Sequence, residues 1–97
     1  MLIQKKYKDG DILCFKLITG DEIVAKLVSQ SLEGDFILSK PCTLMPGPQG
    51  IGLMQTMISG DINTNVTLKG VHILMHSPVI ADIEKHYIKT TTGIQLT

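Results

Sequence analysis

The sequence predicts an all-β fold, a five-stranded, strongly bent small barrel closed by one C-terminal α-helix, and three observations carry that prediction. Apolar residues alternate with period two in short runs between residues 11 and 76. Turns containing glycine separate the runs, and only the last stretch changes to helical spacing. Ninety-seven residues suffice for one compact core and not for two, so the division is an N-terminal extension over 1–10, a barrel over 11–76 and a helix over 77–92, all of one domain.

The first strand is DILCFKLI (Asp11 to Ile18), with Leu13, Phe15 and Leu17 on its apolar face. Thr19-Gly20 makes a tight hairpin into EIVAKLVS (Glu22 to Ser29), where Ile23, Ala25 and Leu27 point inward if Lys26 is to stay in water. After the Glu33-Gly34-Asp35 turn, Phe36 to Leu38 resumes an apolar run. Pro41, which offers no ladder donor, should end that strand or place it at an edge. MPGPQG (Met45 to Gly50) reads as a loop, and IGLMQTMIS (Ile51 to Ser59) as a fourth strand without an obvious partner in the chain. GDINTN (Gly60 to Asn65) is a polar turn. VTLKGVHILM (Val66 to Met75) is the last strand region, punctuated at Lys69-Gly70, with Val71, Ile73 and Met75 on one face. Ser77-Pro78 then offers an N-cap and a first-turn proline to a helix whose apolar stripe is Val79, Ile80, Ile83, Tyr87 and Ile88. A helix of about three turns needs that stripe buried, on its own barrel or on an adjoining copy.

Composition excludes several classes. With 43% hydrophobic and 19% charged residues the chain is not of the disordered kind. Nine lysines balance nine carboxylates and there is no Arg, so composition lends nucleic-acid binding no support. No apolar run reaches the roughly 18 residues of a membrane span, and MLIQKKYKDGD lacks the apolar segment of a secretion signal. The expectation is a soluble protein of the reducing cytosol, without membrane contact, whose Cys14 and Cys42 are structural thiols and whose Asn65-Val66-Thr67 sequon is unused.

No catalytic constellation emerges. His72 and His76, four apart on a strand, lie about 13 Å from each other, too far to share a metal. His86 and Asp82 form an exposed helical pair. Nucleophile elbow, phosphate loop and HExxH are all missing, so no enzyme, no metal and no cofactor is implied. Met45, Met54, Met57 and Met75 read as core filling, except along the long apolar run Ile51 to Ile58.

The order of these elements resembles the Sm-like fold. ILCFKLITGDEIVAKL (Ile12 to Leu27) is similar to that family's first two strands. Asp35-Phe36-Ile37-Leu38 falls where its first motif has Asn-Leu-Val-Leu, and Leu68-Lys69-Gly70-Val71-His72-Ile73 where its second has Ile-Arg-Gly-x-x-Ile. The resemblance is nearest to the divergent branch encoded by tailed phages, including those of marine cyanobacteria, in which a helix follows the barrel. It implies a ring-forming, RNA-binding protein of the host cytoplasm. Copies would pair head to tail through residues 51–58 and 71–75, in a ring of roughly five to seven subunits. It also implies a base-binding site in which Lys69 and Gly70 survive as contacts and Glu33, Asp35 and Phe36 line the same side. The departures from the family weaken that site: Glu33 stands at the stacking position, Asp35 at the Asn and Lys69 at the Arg. With no aromatic platform and two carboxylates near phosphate, any contact with single-stranded RNA should be weak. The alternative is a structural or protein-interaction ring that has lost the RNA site.

Overall fold

The computed structural model describes residues 7–93 of the chain. Its strands are β1 (Ile12–Leu17), β2 (Glu22–Gln30), β3 (Phe36–Gly47), β4 (Gly50–Gln55), β5 (Val66–Leu68) and β6 (Ile73–Pro78), followed by α1 (Ala81–Gly93). A single turn of 3-10 helix at Gly70–His72 divides the last predicted strand region into β5 and β6 at Lys69-Gly70. All pairings are antiparallel, in the order β4-β3-β2-β1-β6, with β5 paired to the first residues of β3. This is the bent small barrel with a C-terminal helix that the sequence predicts.

The inner face is the one the alternation marks. Leu13, Phe15, Ile23, Ala25, Leu27, Phe36 and Leu38 are buried together, and the rings of Phe15 and Phe36 meet edge to face with centroids 5.0 Å apart. Each large side chain so buried contributes about 1.5–3 kcal/mol. Tyr7 belongs to the same core, so the N-terminal extension contributes one ring to it.

The sharp bend arises in β3. Val24 pairs with Cys42 but Lys26 pairs with Ser39, so β3 carries an extra residue at Lys40-Pro41, and Lys40 takes a left-handed φ of 51°. The bulge swaps the strand's faces. Phe36 and Leu38 before it point into the inner core, whereas Cys42 and Leu44 after it face the helix. Pro41 therefore does not end the strand: β3 runs on to Gly47, because the bulge accommodates a residue without a donor. Met45–Gly47 and Gly50 likewise belong to strands. The loop between them shrinks to Pro48-Gln49, and β3 is the partner of β4.

The helix begins at Ala81, four residues later than Ser77. Ser77 and Pro78 pair instead with Cys14 and Leu13 at the end of β6. Tertiary pairing overrides the local capping signal, and Pro78 is tolerated in the last position of an edge strand. Tyr87 and Ile83 pack on Val24, Cys42, Ile12, Leu44 and Leu53, a second apolar cluster on the outer face of the sheet. The Tyr87 hydroxyl lies 2.9 Å from the carbonyl oxygens of both Ser39 and Lys40, which the bulge leaves available. Ile80 and Ile88, expected in the buried stripe, are exposed.

Candidate nucleic-acid interface

The turn before β3 is built on Ser31. Its Oγ accepts from the backbone N–H of Glu33 (3.2 Å) and of Asp35 (3.0 Å), while the Asp35 carbonyl accepts from the Ser31 N–H at 2.9 Å. Gly34 closes the turn with a φ of 93°, a left-handed value that glycine reaches without penalty. Leu32, at the tip, is fully exposed. Sequence reasoning passed over Ser31, although a serine two residues before Glu33-Gly34-Asp35 is a turn signal.

Asp35 is held from two directions. Lys69 Nζ donates to Oδ2 and the Gly70 N–H donates to Oδ1, each at 2.8 Å. The first of these is also an ion pair between residues 34 apart in sequence. The Gly70 N–H and, after it, the Lys69 ammonium hold the Asp35 carboxyl below its ordinary value. Asp35, with a smaller push from Glu33, raises the Lys69 ammonium. Gly70 is obligatory for the approach: a Cβ there would lie 2.5 Å from the Gly34 carbonyl oxygen and 3.0 Å from its carbon. Asp35, Lys69 and Gly70 thus come together as the resemblance implies, and exposed Glu33 adjoins them. Phe36 does not line this side: it points into the core, 2% exposed.

The arrangement is net acidic, because Lys69 offsets only one of the two carboxylates, and the lysine that could meet a phosphate already meets Asp35. Its spare capacity is one face of an exposed ammonium and the free lone pairs of Asp35. His72 sits in the 3-10 turn and His76 in β6, so the two do not share a strand as expected. Among the described residues no group of three or more His, Cys, Asp or Glu could hold a metal ion. His76 makes a contact that the sequence does not announce: Tyr7 Oη lies 2.7 Å from its Nδ1.

Among the described residues the sheet ends on two unpaired edges, β4 with the short β5 along one side of β3 and β6 at the other end. Neither carries a Lys, Arg, Asp or Glu. Ile51, Met54, Met57 and Ile58 are exposed on or just beyond β4, and Leu74 and Met75 on β6. Val71, expected on the face of Ile73 and Met75, is exposed in the 3-10 turn, while Ile73 is the one packed on the core. No helix among the described residues is long and apolar enough to cross a membrane.

No protein-family model matches the sequence, and no curated protein does. Solved structures do match. One is a heptameric archaeal Sm protein, described for its implications for the eukaryotic snRNP core, with 18% identity and a TM-score of 0.52 over 74% of this chain and 90% of that one. Another is the SmAP1 heptamer of P. aerophilum, with 18% identity and a TM-score of 0.52 over 75% of this chain and 84% of that one. The likeness is one of fold: this chain has the Sm-like small barrel, with its helix after the strands.

Proposed function

We propose that the chain is the subunit of a homo-oligomeric Sm-like ring, of the divergent kind that tailed phages encode, acting in the host cytoplasm. The observation that carries the assembly is the pair of uncharged, unpaired edges at opposite ends of one sheet. Natural edge strands are blunted with charge, proline or a covering element, and here Pro78 alone does so, at the end of β6. An edge left open at each side is satisfied when β4 of one copy pairs with β6 of the next, a head-to-tail contact that closes by rotation. The pairing segments are then Gly50–Gln55 and Ile73–Pro78, slightly displaced from the 51–58 and 71–75 that the sequence suggests. That the similar solved structures are heptamers supports a ring of five to seven copies. Sedimentation of the purified chain tests it: a ring is expected, and a stable monomer at micromolar concentration would sink the reading.

For single-stranded RNA, Lys69 and Gly70 are the contacts we propose, with Asp35 and Glu33 beside them, and the binding is weak. The closed Asp35–Lys69 pair favours the second reading, a structural or protein-interaction ring, since that lysine is already neutralised. Anisotropy with oligo-uridine separates the two. Binding that weakens with salt and on Lys69→Ala supports the first, and none at low salt supports the second.

A further inference from the structure

We infer that His76 makes assembly of the ring sensitive to acid: the edge pairs while its imidazole is neutral and opens when it takes up a proton. The inference rests on the ring reading above. His76 is the one titratable side chain on either unpaired edge, since Gly50–Gln55 and the rest of Ile73–Pro78 contain none. It sits in the middle of β6, opposite Phe15 of β1. The Val79 N–H bonds to the Ile12 carbonyl, and antiparallel rungs alternate, so the bonded rungs fall at Ile12/Val79, Cys14/Ser77 and Lys16/Met75. That phase turns the N–H and C=O of His76 outward, toward an incoming strand.

The side chain is held by aromatic groups. Its ring stands edge to face with Phe36 at a centroid distance of 5.3 Å and with Tyr7 at 5.5 Å, and Tyr7 Oη is 2.7 Å from Nδ1. In the neutral ring Nδ1 accepts from or donates to that hydroxyl according to the tautomer, and the hydroxyl also lies 3.5 Å from the His76 carbonyl oxygen. With a second proton Nδ1 is a donor only, and the Tyr7 hydroxyl proton turns away from it, toward that carbonyl. The titratable neighbours offer the cation little. Tyr7 comes from the N-terminal segment. Cys14 and Lys16 of β1 and Glu22 of β2 share with His76 a groove of about 520 Å3 along the edge, and Glu22 is opposite Lys16 across the strands. No carboxylate bonds to the imidazole among the described residues. In the free subunit His76 is exposed, and water accepts the charge. A strand laid on β6 would remove that water and bury a cation among Leu, Met and aromatic groups.

A seam that excludes a proton the free subunit binds should weaken by about tenfold for each pH unit over which that proton is taken up. The test is sedimentation velocity on the full chain at about pH 8 and about pH 5, at one ionic strength, with proton uptake on dissociation by dilution measured at a fixed pH between them, where His72 and His86 cancel. Assembly at the higher pH, dissociation at the lower and uptake of about one proton per subunit are expected. His76→Gln, which keeps an acceptor for Tyr7, and His76→Phe, which fills the same aromatic site, should both stay assembled in acid. Either variant suffices if the other does not fold, and the proton uptake of the unaltered chain decides if neither does. Equal assembly at both pH values, dissociation without proton uptake, or a folded His76 variant that still dissociates in acid would overturn the inference and leave the ring standing. A monomer at both pH values would overturn the ring itself.

Discussion

Gly70 is the residue with least freedom in the candidate interface, because the backbone of Gly34 occupies the space a side chain would need. Gly70→Ala must push the two turns apart and break the N–H contact to Asp35. We expect a loss of about 1–3 kcal/mol, read as a melting temperature lower by several degrees. The Asp35 carboxyl is held low by Gly70 and Lys69, so its contribution to stability is complete above the ordinary carboxylate range near pH 3.9. That contribution disappears as pH falls through the lower folded value. The acid limb of an unfolding curve should therefore be shallower in Asp35→Asn. At this scale the sequence was legible only through short motifs. It placed Lys69, Gly70 and Asp35 at one site but made Asp35 a repulsive charge, since composition cannot show that a lysine 34 positions away neutralises it. Phe36 was misassigned for a simpler reason: neighbouring residues on a strand face opposite sides, so Asp35 outward requires Phe36 inward.

Among elements, α1 depends on the bulge in β3 as much as on its own apolar stripe. Tyr87 packs against Val24 and Cys42 and carries its hydroxyl to the carbonyls of Ser39 and Lys40. Tyr87→Phe keeps the ring and loses the donor, and should cost about 0.5–1.5 kcal/mol in a denaturant titration. Burial, with the Cys42 charge second, pushes the Tyr87 hydroxyl well above the ordinary tyrosine value. The neutral form that the fold favours is thus fully present below about pH 10, and stability falls as pH rises beyond it. Tyr87→Phe should remove part of that alkaline loss. Ending the chain after Ser77 should leave the outer cluster bare and give an aggregating product, which light scattering would reveal. Strand alternation and helical period were both legible here because each reflects burial of one face. The helix start and the run of β3 through Pro41 were not, because pairing with β1 and the bulge opposite β2 are long-range facts that local signals at Ser77-Pro78 and Lys40-Pro41 cannot report.

For the molecule as a whole, the open edges decide behaviour. A single lysine on either edge, Met54→Lys on β4 or Leu74→Lys on β6, should prevent pairing and yield a folded, smaller species in sedimentation. Oligo-uridine should bind weakly at physiological salt. With Lys69 already paired to Asp35 at the candidate site, few phosphate contacts form there and the dependence on salt should be shallow, each contact adding only about 0.7 to the slope of log affinity against log salt. The barrel was legible from its turns and alternation, and the unpartnered fourth strand was legible as an apolar run. That β4 has a neighbour on one side only required the sheet order. An edge of each kind on every copy also means that the two lysine variants fail in different places, each retaining one working edge. A Met54→Lys subunit can still offer β6 to an unaltered copy, yet nothing can be added beyond its β4. Mixed into the unaltered protein as a minority, it should act as a chain terminator and leave open arcs. Closed rings would then vanish faster than the proportion of altered subunits rises, whereas Met54→Lys and Leu74→Lys subunits mixed with each other should pair once, through their two intact edges, and stop at dimers.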